Sequence, residues 1–146
     1  MAYKDLQAFI KKLEKEDELI IIDTEVSCDL EITQISDKIM KSDTHNKALL
    51  FTNITGKKYP LLINAFGSDK RMNMALEVDN LESIAKDITN FIDLSNYQGI
   101  PKQIKAIPSL ARLYFSFPTK INLKKAPCQE VIEEPNLDEM PVLKCW

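Results

Sequence analysis

Apolar positions along the first 92 residues follow two different periods. Leu6, Phe9, Ile10 and Leu13 recur at helical spacing among Lys4, Lys11, Lys12, Glu14 and Lys15, which predicts an amphipathic helix over about Lys4 to Glu16. Leu19-Ile20-Ile21-Ile22 is too short for a helix and rich in β-branched side chains, so it predicts a buried strand. Ser27 to Asp29 supply capping chemistry for a second helix. Its stripe is Ile32, Ile35 and Ile39, Glu31 sits in its first turn, and it runs to about Lys41. Ala48-Leu49-Leu50-Phe51 and Pro60-Leu61-Leu62-Ile63 flank a stretch, Thr52 to Tyr59, that contains Gly56. They read as paired strands joined by more than a tight hairpin. Phe66-Gly67-Ser68 ends the second of these and caps a third helix, Asp69 to about Leu76. Asp79 and Glu82 stand at capping-box spacing before the stripe Leu81, Ile84, Ile88, Phe91 and Ile92.

From Asp93 the pattern changes. Four prolines, at 101, 108, 118 and 127, exclude long uninterrupted helices. Pro101 suits a first helical position before Ile104, Ile107, Leu110 and Leu113, but Pro108 breaks or kinks that segment. Val131-Ile132 and Val142-Leu143 are short strand candidates. The expected fold is α+β. A small mixed sheet of Leu19–Asp23, Leu49–Asn53 and Leu61–Asn64 is covered by amphipathic helices in a domain over 1–92. An extended, proline-containing arm over 93–146 follows and packs less independently. The final Pro141-Val142-Leu143-Lys144-Cys145-Trp146 looks like a strand without its partner, as though the chain were the front portion of something longer.

Composition narrows the class. A chain of 146 residues with 45% hydrophobic and 28% charged residues can bury enough apolar surface to fold as about one domain. Nineteen Lys and Arg against 22 Asp and Glu give a net charge of −3, which argues against a nucleic-acid partner. No apolar run approaches the roughly 20 residues of a membrane span, and the N-terminus lacks a signal peptide's apolar region. A soluble, cytoplasmic protein is expected. Cys28, Cys128 and Cys145 form no C-x-x-C pair, and His45 is the single histidine, so separate reduced thiols are expected rather than a zinc site or disulfides.

Sequence motifs for chemistry are sparse. Gly56, Gly67 and Gly99 form neither a phosphate loop nor a nucleophile elbow. Most carboxylates belong to solvated helix faces, and His45 lies in a polar loop. Gly67-Ser68-Asp69-Lys70-Arg71 places a cap and two cations at a helix start, which suits an anion; an ordinary cap with surface charges is the favoured reading. In Ala126-Pro127-Cys128-Gln129-Glu130, a thiol near Lys124 and Lys125 has the makings of a reactive cysteine, but a buried, inert thiol is favoured. No catalytic or metal-binding residue is assigned.

Several segments, in order, resemble the N-terminal region of the UbiD family of carboxy-lyases. They are Tyr3-Lys4-Asp5-Leu6-Gln7-Ala8-Phe9, Leu30-Glu31-Ile32-Thr33-Gln34-Ile35, Ala48 to Asn53, and the Asn-x-Phe-Gly-Ser-x-x-Arg-Met run from Asn64 to Met72. Pro118-Thr119-Lys120, Ala126-Pro127-Cys128-Gln129 and the closing Pro141 to Trp146 continue the match. Where many members carry Gly-Gly-Pro before the Ala-Leu-Leu-Phe strand, this chain has Thr44-His45-Asn46-Lys47, which implies different turn chemistry and marks a subfamily with a different acid substrate.

The resemblance implies a non-oxidative decarboxylase of aromatic or α,β-unsaturated acids, in ubiquinone or menaquinone synthesis. It implies prenylated FMN as cofactor, held through Mn2+ and K+, and a flavin prenyltransferase to supply it. In such enzymes the cofactor carries the chemistry and the protein positions groups and moves protons. The family's Glu-Arg-Glu network, its metal ligands and its flavin-binding split-barrel domain lie beyond the position of Trp146. This chain alone is therefore expected to be inactive and to hold no cofactor tightly, with any homo-oligomer depending on the missing C-terminal part. Trp146 is the one cofactor-side candidate, either supporting the flavin pocket or only burying its ring between domains. The competing expectations are a stand-alone binding or regulatory module that kept only the front domain, and an orphan fragment without activity.

Overall fold

A computed structural model describes residues 3–94 (backbone alone over 90–94), 117–118, 120, 122 and 126–145. The described elements run α1 (Leu6–Lys15), β1 (Leu19–Ile22), α2 (Glu31–Met40), β2 (Ala48–Phe51), β3 (Leu61–Ile63), α3 (Asp69–Leu76) and α4 (Leu81–Leu94), with single 3-10 turns at Pro127–Gln129 and Leu137–Glu139. The fold is the α+β arrangement that the hydrophobic pattern predicts. The chain divides into two compact units, 1–81 with 135–146, and 82–134, whereas the hydrophobic pattern alone sets the domain at 1–92 and the arm at 93–146.

The sheet order is β1-β2-β3. β1 pairs with β2 in parallel through the α2 crossover, and β2 pairs with β3 antiparallel. Alternation along each strand builds two cores. On one face Leu49 and Phe51 join Val26, Ile32 and Ile54, with Ile20, Ile22, Leu61 and Ile63 alongside. On the other, Ala48 meets Phe9 and Leu13 of α1, with Leu19, Leu62, Met74 and Ala75 packed against them. Thus α2 covers one face while α1 and α3 cover the other. Leu13, Ile32, Leu49 and Phe51 are fully buried, each contributing roughly 1.5–3 kcal/mol by leaving water.

Helix ends follow local chemistry. The Asp5 carboxylate accepts from the Ala8 amide at 2.8 Å and caps α1. At its other end Asp17 takes a left-handed φ of 58°, and the Glu18 amide reaches back to the Leu13 carbonyl at 2.8 Å. That is a Schellman closure with aspartate in the position glycine usually holds. It turns the chain directly into β1. α3 closes the same way, with Glu77 at φ 52° and the Val78 amide on the Asn73 carbonyl at 3.0 Å.

Some local expectations fail. The cap of α2 is Leu30, in the left-handed region and without a side-chain bond, although Ser27 and Glu31 still tie the approach through a 2.8 Å amide–carboxylate bond. Val131-Ile132 forms no strand; both side chains are largely exposed. Val142-Leu143 is not a strand either; the next residue, Lys144, makes a single isolated bridge to Asp29. An apolar pair supplies β propensity, but strands need a neighbour with free backbone groups. The predicted helix around Pro101 to Leu113 and the residue Trp146 lie outside the described residues.

Candidate functional site

The densest polar arrangement among the described residues centres on Arg71. The sequence suggested surface charge for this residue; the structure buries it completely. It sits three residues after Ser68, whose hydroxyl accepts from the Arg71 amide at 3.2 Å and caps α3. Helical spacing puts Arg71 on the same face as Met74 and Ala75, both packed in the core beneath α1. The guanidinium therefore enters the protein rather than solvent.

Its fork is filled by the protein itself. Nε donates to the Asn64 carbonyl at 3.2 Å. Nη1 donates to Glu18 Oε2 at 2.9 Å and to the Asn46 carbonyl at 2.7 Å, and Nη2 donates to Asn46 Oδ1 at 2.8 Å. Asn64, held at φ 58°, turns its amide to Asn46 Oδ1 at 2.8 Å and to the Lys47 carbonyl at 2.9 Å. Gly67 leaves room for the Asn64 side chain: a Cβ there would stand 1.7 Å from Asn64 Oδ1, so a larger residue must push that side chain aside. One cation thus ties together the α1–β1 turn, the entry to β2, the exit of β3 and the start of α3.

Lys70 completes the cluster from outside, pairing with Glu18 Oε1 at 2.8 Å and donating to the Glu16 carbonyl at 3.2 Å. Partial burial pushes the Glu18 carboxyl up, but hydrogen bonds from Lys70 and Arg71, with their charges, outweigh it and hold the group below its ordinary range. Lys70 is held above its ordinary value by the Glu18 hydrogen bond, against some desolvation. A carboxylate locked between two cations is neither a general acid nor a free base near neutral pH. Beside it an open depression of about 480 Å³ is lined by Lys41, Ser42, Thr44, Asn46, Ser68 and Lys70, among others. The anion reading of residues 67–71 gains nothing, because Arg71 and the Ser68 hydroxyl already serve protein partners.

The remaining candidates are dispersed. His45 is exposed. Cys128 is exposed in the Pro127–Gln129 turn rather than buried, because a 3-10 turn of three residues has no face to bury it; Cys145 is exposed and Cys28 partly covered, and all three thiols are free. Among the described residues no group of three or more His, Cys, Asp or Glu is placed to hold a metal ion. No chemical step is assigned to the described residues. Among the described residues no helix is long and apolar enough to cross a membrane.

Sequence alone assigned no site role to Glu18, read as part of a solvated face, or to Asn46 and Asn64, which entered only as parts of longer segments. The available signal was an arginine on the inward face of a short helix, which demands several acceptors.

The fold and this clamp define a small α+β domain whose polar cluster holds loops in place. Comparison with known proteins makes the assignment. Residues 10–88, more than half the chain, match the family described as 3-octaprenyl-4-hydroxybenzoate carboxy-lyase N-terminal domain. The chain belongs to the UbiD family, as its N-terminal domain. An uncharacterized protein of Aquifex aeolicus is 38% identical over 144 residues, covering 99% of this chain and 30% of that protein. One from Archaeoglobus fulgidus is 38% identical over 146 residues, covering 100% and 29%. The closed form of the vanillic acid decarboxylase of Sedimentibacter hydroxybenzoicus matches 95% of this chain and 26% of its own, at 25% identity and a TM-score of 0.60. Its open form matches 54% and 17%, at 30% identity and a TM-score of 0.50. The chain spans less than a third of the length of these relatives.

Proposed function

We propose that this chain is the front domain of a non-oxidative decarboxylase of aromatic or α,β-unsaturated acids, and that its own part in the reaction is structural. The observation that carries this reading is the match along 95% of the chain to a vanillic acid decarboxylase, together with the carboxy-lyase domain family over residues 10–88. The Arg71 clamp supports the structural part, since its charged groups are paired with one another and leave none to polarise a carboxylate substrate.

In this reading the protein works in the cytoplasm, with prenylated FMN, Mn2+ and K+ bound by parts of the protein outside this chain. A flavin prenyltransferase supplies the cofactor, and self-association depends on those same parts. The family's name points to 4-hydroxy-3-polyprenylbenzoates of quinone synthesis as the first acids to try, and the vanillate enzyme to simple phenolic acids as the second. Trp146 belongs to the support of the flavin pocket or to packing between domains.

The test is carbon dioxide release from both acid classes by the full-length protein, produced together with a flavin prenyltransferase. Release from either class supports the enzyme reading and names the substrate class; a cofactor-loaded protein that releases none from either refutes it. Flavin titration of the 146-residue chain checks the division of labour, and saturation below micromolar concentration refutes it. Trp146→Ala in the full-length enzyme separates the two roles. Weaker cofactor retention at normal stability supports the pocket, whereas lost stability with unchanged turnover per folded molecule leaves packing.

A further inference from the structure

We infer that residues 136–144 are a releasable strap, which detaches from the domain while the sheet and its two cores stay folded. Only one of its apolar side chains, Leu143, packs against the α2-side core. Leu137, Met140 and Val142 are 72%, 48% and 66% exposed, so the strap buries little apolar surface to hold it. Its attachment is polar and concentrated at two points.

At the first point the β2–β3 loop grips the turn Leu137–Glu139. The Lys58 amide donates to the Glu139 carbonyl at 3.0 Å, and Lys57 Nζ donates to the Asp138 carbonyl at 2.8 Å. At the second point Lys144 is held at the start of α2. Its amide donates to the Cys28 carbonyl at 3.2 Å, and the Thr33 hydroxyl donates to its carbonyl at 2.8 Å. The Lys144–Asp29 ion pair at 3.1 Å is exposed on both partners and adds little. Most of these bonds are open to water, which replaces them at small net cost. β2 instead lies between two strands with Ala48, Leu49 and Phe51 fully buried.

Regions with few buried apolar contacts and exposed hydrogen bonds open separately from the cooperative core. Release uncovers the seat of Leu143 beside the α2-side core and frees the position of residue 145 relative to α2. Both latches hold the one segment, so loosening either one shifts the same release equilibrium. This inference concerns the strap alone and stands whether or not the decarboxylase reading holds.

Hydrogen exchange of the 146-residue chain, followed by NMR at low denaturant concentrations, tests it. The Lys58 and Lys144 amides are expected to exchange at least about tenfold faster than the β2 amides, with a weaker dependence on denaturant. Thr33→Val removes one bond without changing shape and is expected to speed the Lys144 amide about fivefold, leaving β2 unchanged. Lys57→Met is the second variant and is expected to act on the Lys58 amide in the same way. Equal rates and equal denaturant dependence for strap and β2 overturn the inference. So does a strap whose exchange is unmoved by both substitutions.

Discussion

Replacing Arg71 by methionine keeps much of the side chain's length and apolar stem while removing the guanidinium. Four hydrogen bonds vanish, to Asn64 O, Glu18 Oε2, Asn46 O and Asn46 Oδ1. If each were lost at the roughly 1.5–3 kcal/mol of a charged bond, the sum would approach the stability of a whole domain, about 5–15 kcal/mol. The structure argues for less. Glu18 keeps Lys70 as a partner, and Asn46 Oδ1 keeps the Asn64 amide. The groups left without a donor are the Asn46 and Asn64 carbonyls, and the desolvation cost of guanidinium burial is recovered. The expected loss is about 3–5 kcal/mol, the range for breaking a buried ion pair from one side. Arg71→Lys keeps the charge but not the fork, and should fall between the two at about 2 kcal/mol. Urea denaturation of the wild type, both Arg71 variants, Glu18→Gln and the double variant Arg71→Met with Glu18→Gln measures this. The double variant should be less destabilised than the sum of the singles by at least about 1 kcal/mol, because the two groups share a bond. A loss below about 1 kcal/mol for Arg71→Met would refute the reasoning, since it would mean that the loops hold their geometry without the cation.

Gly67→Ala places a Cβ against Asn64 Oδ1 and must displace the Asn64 side chain from two hydrogen bonds, so thermal unfolding should show a loss of about 2–3 kcal/mol. Ser68→Ala removes the cap of α3 and should cost about 1 kcal/mol in the same assay, with Ser68→Asp close to wild type. Glu18 is held below its ordinary value of 4.5, so its contribution is complete above that pH and is lost as pH falls through the lower, folded value. Stability measured from pH 6 to pH 3 should therefore fall less steeply in Glu18→Gln than in wild type; parallel curves would remove Glu18 from the acid response.

What was legible in the sequence was what depends on period and local capping. The stripes of Leu6, Phe9, Ile10, Leu13 and of Ile32, Ile35, Ile39 set two helices and their inward faces, because a 3.6-residue period leaves one orientation that buries Phe9, Ile10, Leu13 and Ile32 and packs Ile35 and Ile39 against the core, with Leu6 left largely exposed. Gly67-Ser68 marked the start of α3 because a hydroxyl before a helical run satisfies an otherwise free amide. The two-residue runs Val131-Ile132 and Val142-Leu143 misled for the opposite reason: a strand exists only through its partner, and no local signal supplies one. The clamp was half visible. The Asn64-to-Met72 run pointed to the place, but the partners of Arg71 come from Glu18 and Asn46, 53 and 25 residues away, and meet only when β1, β2 and β3 align. Charge alone made Arg71 look like a surface residue. Tertiary structure made it a core residue, because a guanidinium can be buried once four fixed acceptors surround it, and those acceptors do not exist until the sheet has formed.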